Sequence, residues 1–317
     1  MKNSQEQFDR LLEAFPSSVR EHVRSILHTG GMLGAGPCAV ALNQLKISPE
    51  EFMLKLLPLA KLYAAAHVSN FQVGAVAKAR PAGSAGGFAL FLGANIEFAG
   101  TALTHTIHAE QSAVINAWLK GALRIDAIAS SEVPCGRCRQ FLFELDGRDN
   151  LTVIVQGSKG DNFTKASLLK LLPQAFGPAQ LGVPGGLMGS DPNVVNICLK
   201  APSKDPLVTA ALEAASRSYA PYTRNFAGCA IQDGTGKIHA GRCAENAAFN
   251  PSLSPLQTAI VSMYMDNQSS ANTIKRAVLV EKRAAITQRG VCELLLGACA
   301  PQIRLEYFEV AETRMQT

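Results

Sequence analysis

The chain opens on an apolar stripe with the period of a helix. Leu11, Leu12, Phe15, Val19, Val23 and Ile26 recur on one face between residues 4 and 29. Pro16 interrupts the stripe, and Ser17 and Ser18 offer an N-cap for the piece that follows. A glycine-rich break from Gly30 to Gly36 precedes a second predicted helix from Ser48 through Ala66. Leu54, Leu57, Ala60 and Tyr63 share one of its faces, with Pro58 as an irregularity. Then the period changes. FQVGAVAK (71–78) and FALFLG (88–93) are short, apolar and bounded by glycine, like paired strands. Further helices are predicted over 106–120 and 135–145, and buried strands over 125–130 and 151–156. Alternating strands and helices predict an α/β layer structure.

The second half repeats the first weakly. Residues 206–218 match the helix before the strand pair, and 226–231 with 237–241 match the pair itself. Ser254-Pro-Leu-Gln-Thr-Ala259 aligns with His108-Ala-Glu-Gln-Ser-Ala113, so His108 becomes Ser254 and Glu110 becomes Leu256. RAVLVE (276–281) matches the strand at 125–130. A Gly/Pro-rich stretch, 173–192, reads as the linker. The expected division is an N-terminal helical segment 1–47, a catalytic domain 48–172, the linker 173–192 and a degenerate domain 193–317. The loop 80–87 reads as a solvated turn, and the polar tail after Val310 as frayed.

Composition narrows the function. The 317 residues are 47% hydrophobic and 17% charged, which suits a packed core and argues against disorder. The net charge of +5 is dispersed rather than clustered, unlike the basic patch of a nucleic-acid binder. No secretory signal and no membrane-length apolar run are visible, so the expectation is a soluble cytoplasmic protein with no membrane partner. Most of the eight cysteines sit alone in apolar segments, as buried small hydrophobes do. Only Cys135 and Cys138 have ligand spacing.

These two follow His108-Ala-Glu110 at an interval that leaves room for the rest of a helix, a turn and one strand. Both motifs can therefore return to the same end of a sheet. Cys-x-x-Cys at a helix start aims two sulfurs at one point, and the helix dipole favours their thiolate forms. His108 supplies a third ligand, and zinc accepts imidazole and thiolate. Three protein ligands leave the fourth position to a water, which the metal acidifies. Glu110 is near enough to shuttle its proton. A closed structural site would need a fourth ligand, for which His105 is the nearest candidate. Arg137 reads as a solvated side chain, with tempering of the sulfur charge as the alternative. The order H-x-E…P-C-x-x-C is the signature of the zinc deaminases of nucleobases.

Together with Ser69-Asn-Phe71-Gln-Val-Gly-Ala75, Gly93-Ala-Asn95-Ile-Glu97-Phe98, Leu172-Pro-Gln-Ala-Phe-Gly-Pro178 and Ala244-Glu-Asn-Ala-Ala-Phe-Asn-Pro251, these motifs resemble the cytidine deaminase family over nearly the full length. The likeness is to its two-domain homodimeric form, known from enteric bacteria and plants. The resemblance implies two tandem three-layer α/β/α domains, a mixed sheet with helices on both faces, and one zinc per chain. It implies hydrolytic deamination of cytidine and deoxycytidine to uridine and deoxyuridine in pyrimidine salvage, by hydroxide attack at C4. Phe71 would pack on the pyrimidine, Asn95 and Glu97 would bind the ribose 3′-hydroxyl, and the Ala109 backbone would contact the base. Glu110 would pair with the ring nitrogen and the leaving amine, and Phe176 of the other subunit's linker would close the pocket. Each has a plainer reading: Phe71 as core, Asn95 as a turn former, Phe176 as a linker anchor. A polynucleotide cytosine deaminase and a non-catalytic zinc-binding regulator stay open as alternatives. Dispersed charge and an enclosed 3′ side argue against the first, and the intact Glu110 against the second.

Overall fold

A computed structural model describes residues 2–82, 87–157, 162–189, 194–267 and 273–311. Most of the expected frayed tail, from 312 on, and residues 83–86 of the expected turn lie outside that description. In chain order the elements are α1 (Lys2–Leu12), α2 (Ser17–Arg24), β1 (Met32–Leu33), α3 (Ala35–Leu45), α4 (Pro49–Lys61), β2 (Gly74–Pro81), β3 (Ala89–Ala94), α5 (Ala109–Leu119), β4 (Ala122–Ser130), α6 (Gly136–Leu142), β5 (Thr152–Gln156), β6 (Phe163–Ser167) and α7 (Leu168–Leu171). The second half continues with β7 (Cys198–Leu199), α8 (Pro206–Ser216), β8 (Ala227–Gln232), β9 (Ile238–Arg242), α9 (Pro255–Asn267), β10 (Arg276–Glu281), α10 (Arg289–Cys299) and β11 (Leu305–Ala311).

The repeat seen in the sequence is a repeat of topology. One sheet has the order β1-β3-β2-β4-β5-β6, the other β7-β11-β10-β8-β9. Both are built on a hairpin, β2–β3 or β8–β9. Its first strand pairs antiparallel with β4 or β10, and that strand pairs parallel with β5 or β11. Register puts helices on both faces. Ala75 pairs with Gly93, so the two point to one face and Gly74 to the other. A Cβ on Gly93 would meet Ala113 N of α5 at 2.1 Å, whereas one on Gly74 would meet Leu57 O of α4 at 2.8 Å. Gly241 against Ala259 N at 2.0 Å and Gly228 against Ala211 O at 2.3 Å repeat the arrangement with α9 and α8. Three layers result in each half, as the family resemblance implies. The close seat on Gly93 matters for function, because α5 begins at the zinc motif.

Several boundaries move for tertiary reasons. Helix α4 stops at Lys61 although three alanines follow. Ala65 instead donates its N–H to Asn95 O and accepts from Glu97 N, both at 2.9 Å, so tertiary pairing overrides propensity. Strand β2 begins at Gly74 rather than Phe71 because side chains capture the Phe71 backbone. Pro16 itself holds the N-cap position of α2, and Ser17 is already helical. The break at 30–36 contains β1, which extends the first sheet beside β3. The sequence pattern does not predict α3, whose small residues give little contrast between faces, or β6, a largely exposed edge strand.

The N-terminal helices are part of the core. Leu12, Phe15, Val19, Val23 and Ile26 are buried, and Phe15 meets the Phe52 ring of α4 edge-on at 6.4 Å. Each such side chain contributes about 1.5–3 kcal/mol on burial. The two halves meet along α5 and α9 in a reciprocal way. Gln111 Nε2 donates to Pro251 O (3.1 Å), and its counterpart Gln257 Nε2 donates to His105 O (2.8 Å). Each glutamine also accepts from the backbone at the start of its own helix, at His108 or Ser254. This is the pattern of a symmetric interface joined into one chain. The eight cysteines are all free.

Candidate active site

His108 is the N-cap of α5, with its backbone N–H bound by Gln111, and Cys135 is the N-cap of α6. Cys138 lies in the first turn of α6, buried below Cys135. The two helix starts converge because α5 packs on β3 and β4 carries the chain back between them. The ligand atoms of His108, Cys135 and Cys138 all lie within 4.8 Å of one another. Cys135 Sγ is 3.6 Å from His108 Nδ1 and 3.6 Å from Cys138 Sγ. A tetrahedral zinc with ordinary bond lengths places two sulfurs about 3.8 Å apart and a sulfur and a nitrogen about 3.5 Å apart. The residues therefore fit zinc with small adjustments. His105 is outside this cluster, and its carbonyl is used by Gln257.

Glu110 is 4% exposed. Its Oε2 is 3.4 Å from Cys138 Sγ, and its Oε1 makes a long 3.4 Å contact with the Ser130 hydroxyl at the end of β4. Burial raises the carboxyl above its usual range, so it readily holds a proton, and a neighbouring dication works the other way. The sulfurs are coupled. The hydrogen bond from Cys138, joined by one from His108, lowers Cys135 to about 3. The same bond, with burial, raises Cys138. A bound dication would favour the thiolate form of both. Replacing Cys138 with Ala is expected to lower the zinc content of purified protein to well below one per chain, as read by metal analysis.

The remaining predicted residues form a second cluster. Phe71 is 56% exposed and is not core. Asn95 accepts from Val73 N–H (2.8 Å) and donates to Phe71 O (2.9 Å), so it does shape the turn that carries Phe71. Glu97 accepts from Val68 N–H (2.8 Å), Ser69 N–H (3.0 Å) and the Ser69 hydroxyl. Partial burial pushes this carboxyl up, and the bonds from Ser69 and Val68 outweigh it and hold it low. The clusters are joined one residue away on each side: Ile96 and Ile107 exchange N–H···O bonds of 2.9 Å, next to Asn95, Glu97 and His108. Ala109 is buried in the first turn of α5. Phe176 projects from the strap after α7, with its carbonyl held at 2.7 Å by Gln140 of α6. Arg137 departs from the expectation of a solvated side chain. It is half-buried and reaches back to Thr104 O, which ties the zinc helix to the segment before His108. The sequence pattern assigns no role to Ser69 or Ser130. Ser69 lies inside one of the family-like motifs, but only folding brings its partner Glu97 alongside.

Two spans, residues 46–154 and 168–293, match models described as the cytidine and deoxycytidylate deaminase zinc-binding region. A cytidine deaminase of Aliivibrio fischeri is 39% identical over 97% of this chain and 99% of its own length. The chain belongs to the cytidine deaminase family. Another member, the cytidine deaminase of Yersinia pestis, is 41% identical over 85% of this chain and 86% of its own. A solved cytidine deaminase from Burkholderia pseudomallei is 29% identical, with 41% of this chain and all of that one aligned at a TM-score of 0.34. Membership in this zinc-binding family agrees with the metal fit of His108, Cys135 and Cys138. The second matched span holds Ser254 and Leu256 where the first holds His108 and Glu110.

Proposed function

We propose that this chain is a zinc-dependent hydrolase that converts cytidine and deoxycytidine, with water, to uridine and deoxyuridine plus ammonia. The observation that carries this reading is the convergence of three ligand atoms within 4.8 Å beside the buried carboxylate of Glu110. His108, Cys135 and Cys138 hold the zinc, which when bound acidifies a water so that it is nucleophilic near neutral pH. Glu110 moves two protons in turn: its carboxylate takes one from the attacking water and delivers it to the ring nitrogen, then takes the remaining proton of the hydroxyl added at C4 and delivers it to the amine, which leaves as ammonia while the C4 carbonyl forms. The Ala109 backbone orients the base. Asn95 and Glu97 present polar groups to the sugar's 3′-hydroxyl, and Phe71 offers its exposed ring to the pyrimidine. A site that pairs with a sugar hydroxyl discriminates strongly against ligands lacking it.

In this reading residues 48–172 are the catalytic unit, 173–192 the linker and 193–317 an inert partner unit, with 1–47 integrated into the first. The chain acts in the cytoplasm, where free thiols such as its own are stable. Among the described residues no helix is long and apolar enough to cross a membrane. A homodimer is the proposed assembly. Leu103, Val133 and Phe176 are large, apolar, exposed and close in sequence to site residues, so a second copy would cover them and bring its Phe176 to the pocket. The deciding experiment measures loss of cytidine absorbance and release of ammonia, with and without a chelator. Single-stranded DNA and RNA serve as competing substrates. Chelator-sensitive turnover of cytidine supports the reading, and turnover of polynucleotide alone overturns it.

A further inference from the structure

One small side chain links the predicted sugar-facing Glu97 to the backbone that carries the base-facing ring. Ser69 donates its hydroxyl and its N–H to the two oxygens of Glu97, and its hydroxyl oxygen accepts from Phe71 N–H at 3.0 Å. Asn95 takes the Phe71 carbonyl from the other side. Between Ser69 and Phe71, Asn70 is held in the left-handed region with φ of 56°. This turn recurs in the inert half. Thr223 donates its hydroxyl and N–H to Glu245, and accepts from Asn225 N–H at 3.1 Å. Arg224, the counterpart of Asn70, has the same φ of 56°. The bridges Ala65–Ile96 and Tyr219–Ala244 set the equivalence, because Glu97 and Glu245 each follow the bridged residue.

What differs between the halves is the chemistry mounted on the turn. Asn225 stands where Phe71 does, and it is buried and tied to Glu281 rather than exposed. Cys243 stands where Asn95 does and is buried. The hydroxyl–carboxylate clamp is therefore a device for fixing the turn, separable from the groups that face a ligand. It also tolerates serine or threonine. The Glu97 carboxylate accepts twice from Ser69 and once from Val68 N–H, and the Ser69 hydroxyl alone holds Oε1, so the orientation of the carboxylate, and with it the lone pairs left for a sugar hydroxyl, follows Ser69.

We propose that Ser69 is a positioning residue for the nucleoside: its hydroxyl locks Glu97 and the Phe71 backbone into one arrangement, so that sugar and base are engaged together. The inference rests on the cytidine reading above. It acts on binding and not on the zinc or on Glu110, so the effect belongs in KM.

The test uses the zinc-loaded full chain. Ser69→Ala is expected to raise KM for cytidine about tenfold with kcat within about threefold, the loss of a hydrogen bond to a charged group. Ser69→Thr should restore KM, as the geometry of Thr223 indicates. Thr223→Ala, which removes the same clamp from the inert half, should leave KM unchanged. Equilibrium binding of cytidine to Glu110→Ala protein, with and without Ser69→Ala, gives a readout free of turnover, and affinity should fall about tenfold. Equal affinities, an unrescued Ser69→Thr, or an equal rise in KM in Thr223→Ala overturns the inference alone. Neither turnover nor binding of cytidine by the zinc-loaded parent chain overturns the cytidine reading, and the inference with it.

Discussion

Glu110→Ala is expected to stop deamination and leave the zinc bound. A positioned acid or base contributes roughly 10²–10⁴-fold to rate, and Glu110 is the carboxylate next to the metal cluster, 3.4 Å from Cys138 Sγ. It is not among the three clustered ligands, so its removal spares the metal cluster. Its replacement also leaves α5 seated, because that seat depends on the backbone contact with Gly93. Glu110→Gln separates shape from proton transfer: it keeps the volume and a hydrogen-bonding oxygen but cannot carry the proton, and it should be as inactive as the alanine variant. The measurement is kcat for cytidine alongside zinc per chain. Turnover within tenfold of the parent in either variant would reject the proton role.

The second large effect concerns stability. Glu144 is 0% exposed, two residues beyond the end of the zinc helix α6, and it makes no ion pair among the described residues. Its carboxylate accepts instead from three donors of the other half: Tyr219 OH (2.7 Å), Tyr222 OH (2.5 Å) and Ala247 N–H (2.8 Å). Burial, with the adjacent carboxylate, raises both phenols, so they stay neutral donors. Glu144→Ala strands those donors at a cost of about 1–3 kcal/mol for each left unpaired, and at least about 3 kcal/mol in total is expected. The midpoint of thermal unfolding should fall by roughly 5–10 °C. Tyr219→Phe and Tyr222→Phe should each cost less, since the carboxylate keeps two partners. A parental midpoint in Glu144→Ala would show that this clasp does not hold the halves together. Through the clasp the second half also anchors one end of α6, while the other end holds Cys135 and Cys138.

The zinc motif is legible because its spacing is local. His108-x-Glu110 and Cys135-x-x-Cys138 each lie within one helical turn, where backbone geometry sets relative placement. The repeat is legible because a buried sheet demands apolar runs of a given length and order, which both halves retain. The cluster around Phe71 is less so. Phe71 looks like the start of a strand, yet the Ser69 hydroxyl and the Asn95 side chain take its backbone polar groups and leave its ring outside. Arg137 looks like a surface residue until Thr104 O is found beside it. Glu144 is a single acidic letter with nothing nearby in sequence to mark it as buried.

By itself, then, the sequence determined the reaction class, the layered α/β pattern and the loss of the His108 and Glu110 counterparts, replaced by Ser254 and Leu256, in the second copy. Each follows from residue types at short, fixed separations. Tertiary structure alone decided which polar groups meet across the chain: Glu97 with Ser69, Gln111 with Pro251, Glu144 with Tyr219 and Tyr222. Buried polar groups must find partners wherever packing brings them. Separation along the chain says nothing about which partners those will be.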